Sequence, residues 1–443
     1  MKKLLGSTLA LAMFVPAGAN AELLKNFKAS GSLEVSAVSA NNVTDFSTKV
    51  YDKIGNAQTR LMVHGDWDLL DDVHARVTLS KNDRTYGQNT QSVHDIENAV
   101  NADESYVKID KLFGGLDTTL GRQFYGEAGD LVIYFGPKYQ LYGMPITSLD
   151  GGRFDWNGEK VGVTLLAAKV TGTGLAVTNT GNVNLQGVDI HAKAMDNMSA
   201  AVYVYRRETI NSTPAVGVVG NDNLYVAGLK AKATLGIAWL KAEIAKDFGQ
   251  MRTTTAGNPY AFTGNYTGWA AKVNLGAKVD LNNLGAVTGW GEAGIGSGGK
   301  NTNRNFQAIA GDYRPGGIYG RFGTGASQAL GNGAPANLDG NTLSNRVIVG
   351  AGVKVTPAAL SKLTAGVSAW NYRFQNAADA AVVTGKGNKG IGTEFDLDLT
   401  WAHSENVSVS AGVGSLQPGR NIRDQKPAVN PATLAYTDFS VKF

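Results

Sequence analysis

Charged side chains recur at every second position in several segments of this sequence, and one such group could do chemistry. His64, Asp66 and Asp68 stand two positions apart, so on a β-strand they would share one face. A histidine beside two carboxylates could act as the general base of a hydrolase. The same group on the wall of a water-filled channel would instead filter solutes by charge. The sequence therefore raises an enzyme and a channel as alternatives.

The remaining motifs favour the channel. The histidines are dispersed without the spacing of a zinc site, and no Gly-x-Ser-x-Gly motif occurs. Residues 294–301 nearly spell a P-loop, but Asn301 replaces the Ser or Thr that binds magnesium. The chain has no cysteine, which excludes thiol catalysis, thiolate zinc and iron–sulfur sites. We expect no enzymatic activity, no cofactor, no metal and no nucleic-acid partner.

Other charged residues that alternate with apolar ones are candidates for a pore lining. Opposed positive and negative charges across a channel filter solutes by sign and size. The basic candidates are Arg60, Arg76, Arg153, Arg346 and Lys272. The acidic candidates are Asp66, Asp68, Glu394, Asp396 and Asp398. Solvation alone would also explain any single one of them, because charge on the water side of a barrel costs little.

The segments that carry these charges have the period-two pattern of β-strands, in which successive side chains point to opposite faces. In residues 60–69 the apolar positions are Leu61, Val63, Trp67 and Leu69, and they alternate with the charged ones. A short polar turn at 71–72 leads into a second alternating segment, 73–80. The pattern returns at 269–280, 346–355, 394–401 and 407–414. Each segment thus has one apolar and one polar face.

The connections between these segments alternate between short and long, which is typical of a transmembrane antiparallel up-and-down β-barrel with short periplasmic turns and long extracellular loops. Short turns are predicted at 71–72, 110–115, 157–158, 196–197, 282–283 and 404–406. Long loops are predicted at 39–54, 82–101, 125–146, 171–183, 209–222, 249–264, 297–342, 376–390 and 417–432.

Counting the segments between these connections gives about 18 strands. A total of 16 or 20 stays open, because the strand after Leu284 is weak and residues 306–322 fit either a strand pair or an ordered outer loop. Tryptophans near predicted strand ends favour aromatic belts at the membrane interfaces. They are Trp67, Trp156, Trp269, Trp290, Trp370 and Trp401.

The two ends of the chain predict its destination. Lys2 and Lys3, a short apolar run and Ala19-Asn20-Ala21 have the form of a signal peptide, cleaved before Glu22. Residues 1–21 are then a cleaved signal peptide, and residues 22–443 form a single barrel domain. No other run of about 20 apolar residues occurs, so no spanning helix is expected. We expect a bacterial outer-membrane protein surrounded by lipid and lipopolysaccharide.

The last residues alternate up to a terminal aromatic. Thr437, Phe439, Val441 and Phe443 share one face of the predicted final strand. A terminal aromatic after such alternation resembles the assembly signal of outer-membrane proteins. Phe443 is therefore predicted to be read by the outer-membrane assembly machinery.

Three loose motifs, in this order along the chain, carry a family resemblance. The first runs from Leu-Gly-Arg-Gln at 120–123 through Gly-Asp at 129–130 to Arg-Phe-Asp at 153–155. The second covers 306–320, and the third covers 392–419. Together the three resemble the alginate-export-type outer-membrane porins. The resemblance implies an 18-stranded barrel that passes anionic polysaccharide through an arginine-lined constriction, with Arg122 as the residue that carries over.

The sequence departs from that family at three points. Leu131 stands where the family often has a basic residue, and Leu416 replaces an aromatic. The predicted pore charge is mixed instead of strongly basic. Arg122 also breaks parity, since Leu116, Thr118 and Leu120 are predicted to face outward. Two placements are open: a bulge at Gly121 turns Arg122 inward, or Arg122 lies above the lipid. These departures bear on the cargo more than on the barrel.

The loop at 125–146 holds an apolar patch, 131–135, that would be a liability in water. Two placements are open: the loop folds into the barrel and narrows the pore, or it contacts lipopolysaccharide or a neighbouring subunit outside. For function we expect passive diffusion of small hydrophilic solutes or oligosaccharides through a charged lumen. The alternatives are a dedicated export channel for an anionic polysaccharide such as alginate, and a surface structural or adhesive protein. A homo-oligomer is compatible with an apolar wall.

Overall fold

The structure is a computed structural model, and it describes residues 25–43, 46, 53–85, 100–171, 182–210, 212–213, 218–219, 221–255, 258–299, 301–322, 343–376, 387–425 and 428–443. The predicted signal peptide lies outside these residues. So do most of the predicted loops at 82–101 and 171–183.

The alternating segments form the β-strands of a single wall. In chain order they are β1 (Lys25–Asn41), β2 (Ile54–Leu70), β3 (Val73–Thr85), β4 (Asn101–Leu112), β5 (Leu116–Gln123), β6 (Leu149–Asn157), β7 (Val161–Thr171), β8 (Asn182–Met195), β9 (Met198–Ile210), β10 (Asp222–Leu235), β11 (Ala238–Thr255), β12 in two parts (Asn258–Asn265 and Trp269–Asp280), β13 (Gly285–Gly296), β14 (Arg346–Pro357), β15 (Leu363–Phe374), β16 (Gly390–Ala402), β17 (Val407–Pro418) and β18 (Ala432–Lys442).

Each strand pairs antiparallel with the strands before and after it, and β1 pairs with β18. The closing ladder runs from Ser32 opposite Lys442 to Asn41 opposite Thr433. The two parts of β12 both pair with β11 and occupy one position in the wall. The protein is thus a closed 18-stranded antiparallel barrel, as predicted. Closure leaves no unpaired sheet edge.

One end of the barrel, here called the turn end, has only short connections. They lie at 71–72, 113–115, 158–160, 196–197, 236–237, 281–284, 358–362 and 403–406. The turns at 236–237 and 358–362 were not among the predicted ones. The opposite end, the loop end, carries the long connections. The predicted loop at 249–264 is wrong, because β11 and the first part of β12 extend into it as a paired hairpin.

The helices within the described residues are short. They are α1 (Ile318–Arg321), α2 (Arg420–Gln425) and the 3-10 turns Asn282–Leu284, Thr302–Arg304 and Ala358–Leu360. Two-residue ladders join Tyr125–Gly126 to Tyr134–Phe135 and Ser212–Thr213 to Val218–Val219. Within the described ranges no helix is long and apolar enough to cross a membrane.

The two faces of the wall differ as period two requires. On the outer face, large apolar side chains such as Val202, Ile244 and Val367 are each more than half exposed, at 52%, 53% and 56%. An apolar outer face of this kind is the surface that a barrel presents to lipid. The inner face carries the alternating polar positions and, near the loop end, buried apolar residues such as Leu185, Leu224 and Val226.

The buried core lies inside the barrel, because two long connections fold into it. The first inward segment comprises residues 124–148, and the second comprises residues 305–322. Leu131, Val132 and Ile133 of the first, and Phe306 and Ile318 of the second, are at most 1% exposed. Of the two placements open for residues 125–146, the structure has the one inside the barrel.

Two uncertain elements are now assigned. The segment after Leu284 is a regular strand, β13. Residues 306–322 form neither a strand pair nor an outer loop; they are the inward segment that ends in α1. The prediction that Trp290 and Trp370 lie near strand ends in the aromatic belts is wrong. They lie in the middle of β13 and β15 on the inner face, whereas Trp156, Trp269 and Trp401 are exposed on the outer face.

Candidate functional site

The first inward segment is held to the inner wall by charged groups of β10 and β11. The Lys230 Nζ atom lies 2.5 Å from a carboxylate oxygen of Asp130. The backbone amide of Leu131 donates to the Glu243 carboxylate at 2.9 Å. Glu243 also accepts from the Tyr203 hydroxyl at 2.8 Å. These contacts place the apolar patch against β9–β11, where water cannot reach it.

Arg60 anchors the other end of this segment. Its side chain is 1% exposed, and its guanidinium donates to the backbone oxygens of Lys138 at 3.1 Å and Met144 at 3.2 Å. The ring of Tyr139 lies 5.0 Å from the guanidinium carbon. Glu34 of β1 supplies the counter-charge. Arg60, predicted to line the pore, is thus on the inner face but buried beneath the segment that it binds.

Glu394 and Asp396 bind the second inward segment from β16. The Glu394 carboxylate accepts from the backbone amides of Ile318 at 2.5 Å and Tyr319 at 3.3 Å. Asp396 accepts from the amide of Gly317 at 3.2 Å. Amides at the start of a helical turn have no partner of their own, and a carboxylate satisfies them well. Glu394 is 0% exposed.

Two arginines complete the attachment of the second segment. Arg346 of β14 donates from Nε to the Tyr319 hydroxyl at 3.1 Å and is 1% exposed. Arg321, at the end of α1, reaches the closing strands and binds the Asp438 carboxylate of β18 at 2.7 Å. The second segment therefore crosses the lumen from β11, where Gln307 binds Asp247 at 2.7 Å, to the β18 side.

The two inward segments also bind each other. Their backbones meet in a parallel bridge between Ile133 and Ala310. The buried ammonium of Lys138 donates to the backbone oxygen of Tyr134 at 2.8 Å and lies 3.7 Å from a carboxylate oxygen of Asp312. Burial raises the pKa of the Tyr134 and Tyr313 hydroxyls, so both stay neutral. The pair of segments forms one partition across the barrel.

A cavity of about 620 Å³ remains between this partition and the wall formed by β11–β18. Basic groups reach it from the wall and from the partition, as do carboxylates. The charged lining residues are Lys241, Lys272, Lys354, Arg314, Arg321, Glu292, Asp312, Asp396 and Asp398. Trp290, Trp370 and Tyr436 supply aromatic surface. The lining can thus donate to, accept from and orient a polar solute.

Predicted lumen charges closer to the turn end pair with one another on the inner face. Arg76 binds Asp66 at 2.5 Å, and Arg153 binds Asp155 at 2.7 Å. Asp68 binds His74 at 2.6 Å, and His74 also contacts Asp110 at 3.1 Å. Asp398 contacts the Tyr436 hydroxyl. Lys272, between the cavity and the partition, binds the Gly129 backbone oxygen and lies 3.4 Å from Glu243.

The proposed catalytic group is not assembled. The His64 ring nitrogen contacts the Thr78 hydroxyl at 2.7 Å, while Asp66 and Asp68 are engaged by Arg76 and His74. Across the described ranges, no three His, Asp or Glu side chains are grouped as a metal ion would require.

Arg122 requires a correction. Pairing between β4 and β5 runs without a register shift from Leu120 to Arg122, so the bulge that would turn Arg122 inward does not form. Arg122 therefore shares the outer face with Leu120, which is 46% exposed. It binds Asp150, directly opposite on β6, at 2.9 Å.

Several anchoring residues were missed in the sequence. Lys230 and Glu243 do stand at inward positions of alternating segments, so parity could have placed them on the inner face. Asp130 and Lys138 lie in an irregular segment, and Arg321 ends a single helical turn, so neither place offers a repeating pattern that would assign a direction. Their roles emerge only from the contacts made by the folded segments.

Comparisons with known proteins agree on the barrel. No protein-family model matches the chain, and no curated protein matches it significantly. Among solved structures, Pseudomonas aeruginosa OccK8 (OprE) is similar with a TM-score of 0.54 at 10% identity, covering 95% of this chain and 99% of that one. P. aeruginosa OccK2 (OpdF) in complex with glucuronate gives 0.54 at 10% identity over 95% and 97%. Acinetobacter baumannii OccAB4 gives 0.52 at 10% identity over 96% and 100%.

These findings overturn the resemblance to the alginate-export family. The similar structures are Occ outer-membrane porins, and the loose motifs that carried the resemblance are explained by local structure: 306–320 by the second inward segment and 392–419 by a strand pair. At about a tenth identity the likeness concerns architecture alone. The chain has the closed 18-stranded barrel fold that the Occ porins also have.

Proposed function

We propose that the protein is a bacterial outer-membrane channel for the passive diffusion of small hydrophilic solutes. The observation that carries the proposal is the polar cavity of about 620 Å³ beside the partition, inside a wall whose outer face is apolar. The partition narrows a barrel that would otherwise be wide, since about 16–18 strands leave an aqueous channel. Charges of both signs on the lining suit selection among small polar solutes.

Several expectations from the sequence become parts of this proposal. The turn end faces the periplasm and the loop end faces outward, as in other outer-membrane barrels. Residues 1–21 direct export and are removed. Lipid and lipopolysaccharide surround the apolar belt, and the chain has no enzymatic activity. The glucuronate in the OccK2 structure supports a small solute, not a polymer, as cargo for a barrel of this shape.

The proposal is tested by the conductance of the purified full-length protein in planar lipid bilayers. We expect steady single-channel steps of uniform size, whose number rises with the amount of protein added. A barrel that inserts but never conducts would refute the proposal. Deletion of residues 128–140 removes the apolar patch and its contacts with Lys230 and Glu243, and it should raise the single-channel conductance.

A surface adhesive role is the alternative to the channel, and conductance measurements combined with binding assays distinguish the two. Binding of cells or matrix that is lost on shortening an external loop, in a protein that does not conduct, would favour it. A suitable loop for that deletion is 417–432, which α2 partly orders at the loop end.

A further inference from the structure

Two indole rings lie side by side on the inner wall, and their position is unusual for a channel that selects by charge alone. Trp290 and Trp370 come from β13 and β15, on either side of β14. Their ring centroids are 5.2 Å apart and the ring planes are inclined by 45°. Both rings line the cavity. We call this pair the aromatic shelf.

Glycines of β14 make the shelf. Gly352 stands directly opposite Trp290, and Gly350 stands directly opposite Trp370. A Cβ atom at Gly352 would meet the Trp290 ring at 2.7 Å, and a Cβ atom at Gly350 would collide with the Trp370 ring. Because neither glycine has a side chain, each indole lies flat against the wall. One face of Trp290 packs on backbone, and the ring borders the cavity.

Donors and acceptors surround the shelf. Glu292 follows Trp290 on the same face of β13, and Asn274 donates to its carboxylate at 2.9 Å. Lys354 extends into the cavity from β14, and Ser368 lies on β15. The polar side chains around the shelf can therefore both donate hydrogen bonds to a bound solute and accept them from it.

This combination matches one class of solute better than the others. A sugar ring has a face of C–H groups, which pack against an aromatic surface, and a rim of hydroxyls, which both donate and accept. An inorganic ion has no apolar face that could pack against the indole rings. An aromatic acid has a flat ring but no rim of hydroxyls, so it cannot donate hydrogen bonds to the Glu292 carboxylate.

We propose that the aromatic shelf is a sugar-binding subsite, at which the ring of a small saccharide stacks on Trp290 while Glu292, Asn274 and Lys354 bind its hydroxyls. The inference rests on the proposed channel function and names a substrate class for it. Binding at such a site is weak enough to let the solute leave, which conduction requires.

The test measures block of the ion current through single channels by maltotriose, with sorbitol as a polyol without a ring and benzoate as an aromatic acid. Maltotriose should reduce the current in a saturable manner, and sorbitol should not. In Trp290→Leu the half-blocking concentration should rise roughly three- to tenfold, which corresponds to about 0.6–1.4 kcal/mol. Trp290→Tyr keeps a flat ring and should retain most of the block.

Trp401 provides a control. It is exposed on the outer face of β16 and does not line the cavity. In Trp401→Leu, maltotriose should block the current as it does in the unmodified protein. Equal block in Trp290→Leu and in the unmodified protein would overturn the inference, as would block by benzoate without block by sugar. Open-channel current in each variant shows that the barrel has folded.

The two proposals fail in distinguishable ways. Channels that conduct but ignore maltotriose contradict the sugar subsite alone. If no current appears, the proposed channel function is wrong. The change in tryptophan fluorescence on adding maltotriose then tests the sugar subsite by itself. A saturable change with maltotriose in the unmodified protein, reduced in Trp290→Leu, would support it; no change would overturn it.

Discussion

Arg60 and Glu34 stand directly opposite each other on β2 and β1, and the Arg60 Nε atom lies 2.5 Å from a Glu34 carboxylate oxygen. The same guanidinium binds the backbone of the first inward segment at two oxygens. The ion pair therefore orients, from the wall, the group that holds the partition. Charged residues of the wall in this barrel thus bind the inward segments as well as line the lumen.

Arg60→Ala should loosen the first inward segment. The change removes the partner of Glu34 and the Arg60 hydrogen bonds to two backbone oxygens, at a cost of about 3–5 kcal/mol for a broken buried pair. We expect larger and noisier single-channel currents and a lower unfolding temperature. Arg76→Ala is the control, since Arg76 pairs with Asp66 at about one-third exposure for both side chains. Identical current noise in the two variants would contradict the anchoring role.

Glu394→Ala should release α1 from β16. The substitution leaves the amides of Ile318 and Tyr319 without an acceptor, and each buried unsatisfied group costs about 1–3 kcal/mol. Glu394→Gln keeps one acceptor oxygen and should lose less. Protease cleavage within residues 312–322 of the folded barrel, followed by mass spectrometry, measures the release. Equal protection in all three proteins would show that other contacts suffice.

Lys354 and Arg122 should differ in their effect on ion selectivity. Lys354 lines the cavity, so Lys354→Met removes a positive charge there and should make the channel more selective for cations. The zero-current potential in a salt gradient measures that change. Arg122 lies on the outer face in an exposed pair with Asp150, worth about 0.2–1 kcal/mol. Arg122→Met should therefore leave selectivity unchanged. A shift with Arg122→Met that equals the shift with Lys354→Met would contradict the outward placement.

Removal of Phe443 should impair assembly more than stability. The residue exchanges two backbone hydrogen bonds with Gly31, at 2.7 and 3.0 Å, and its ring covers that glycine on the outer face. Two such bonds contribute only about 0.5–1.5 kcal/mol each. The yield of heat-modifiable barrel in outer-membrane fractions should fall, while conductance of refolded protein stays unchanged. Normal yield would argue against Phe443 as an assembly signal.

The sequence by itself determined the wall. Cβ atoms alternate between faces whatever the partner strand, so parity placed Asp66, Arg76 and Glu394 on one face without knowledge of the fold. Parity also put Arg122 with Leu120, and the structure follows that parity instead of the bulge that the family resemblance called for. The turn residues between alternating segments were enough to predict about 18 strands.

Only the tertiary structure decided what each inward charge does. Asp130 and Lys230 are 100 residues apart in the chain, and nothing local links an irregular loop to a position on β10. Arg60 and Arg76 both alternate with apolar residues in the sequence, yet Arg60 is buried under the partition and Arg76 is about one-third exposed on the wall. The difference follows from the path of the inward segments, because that path is set by long-range packing and not by a local period.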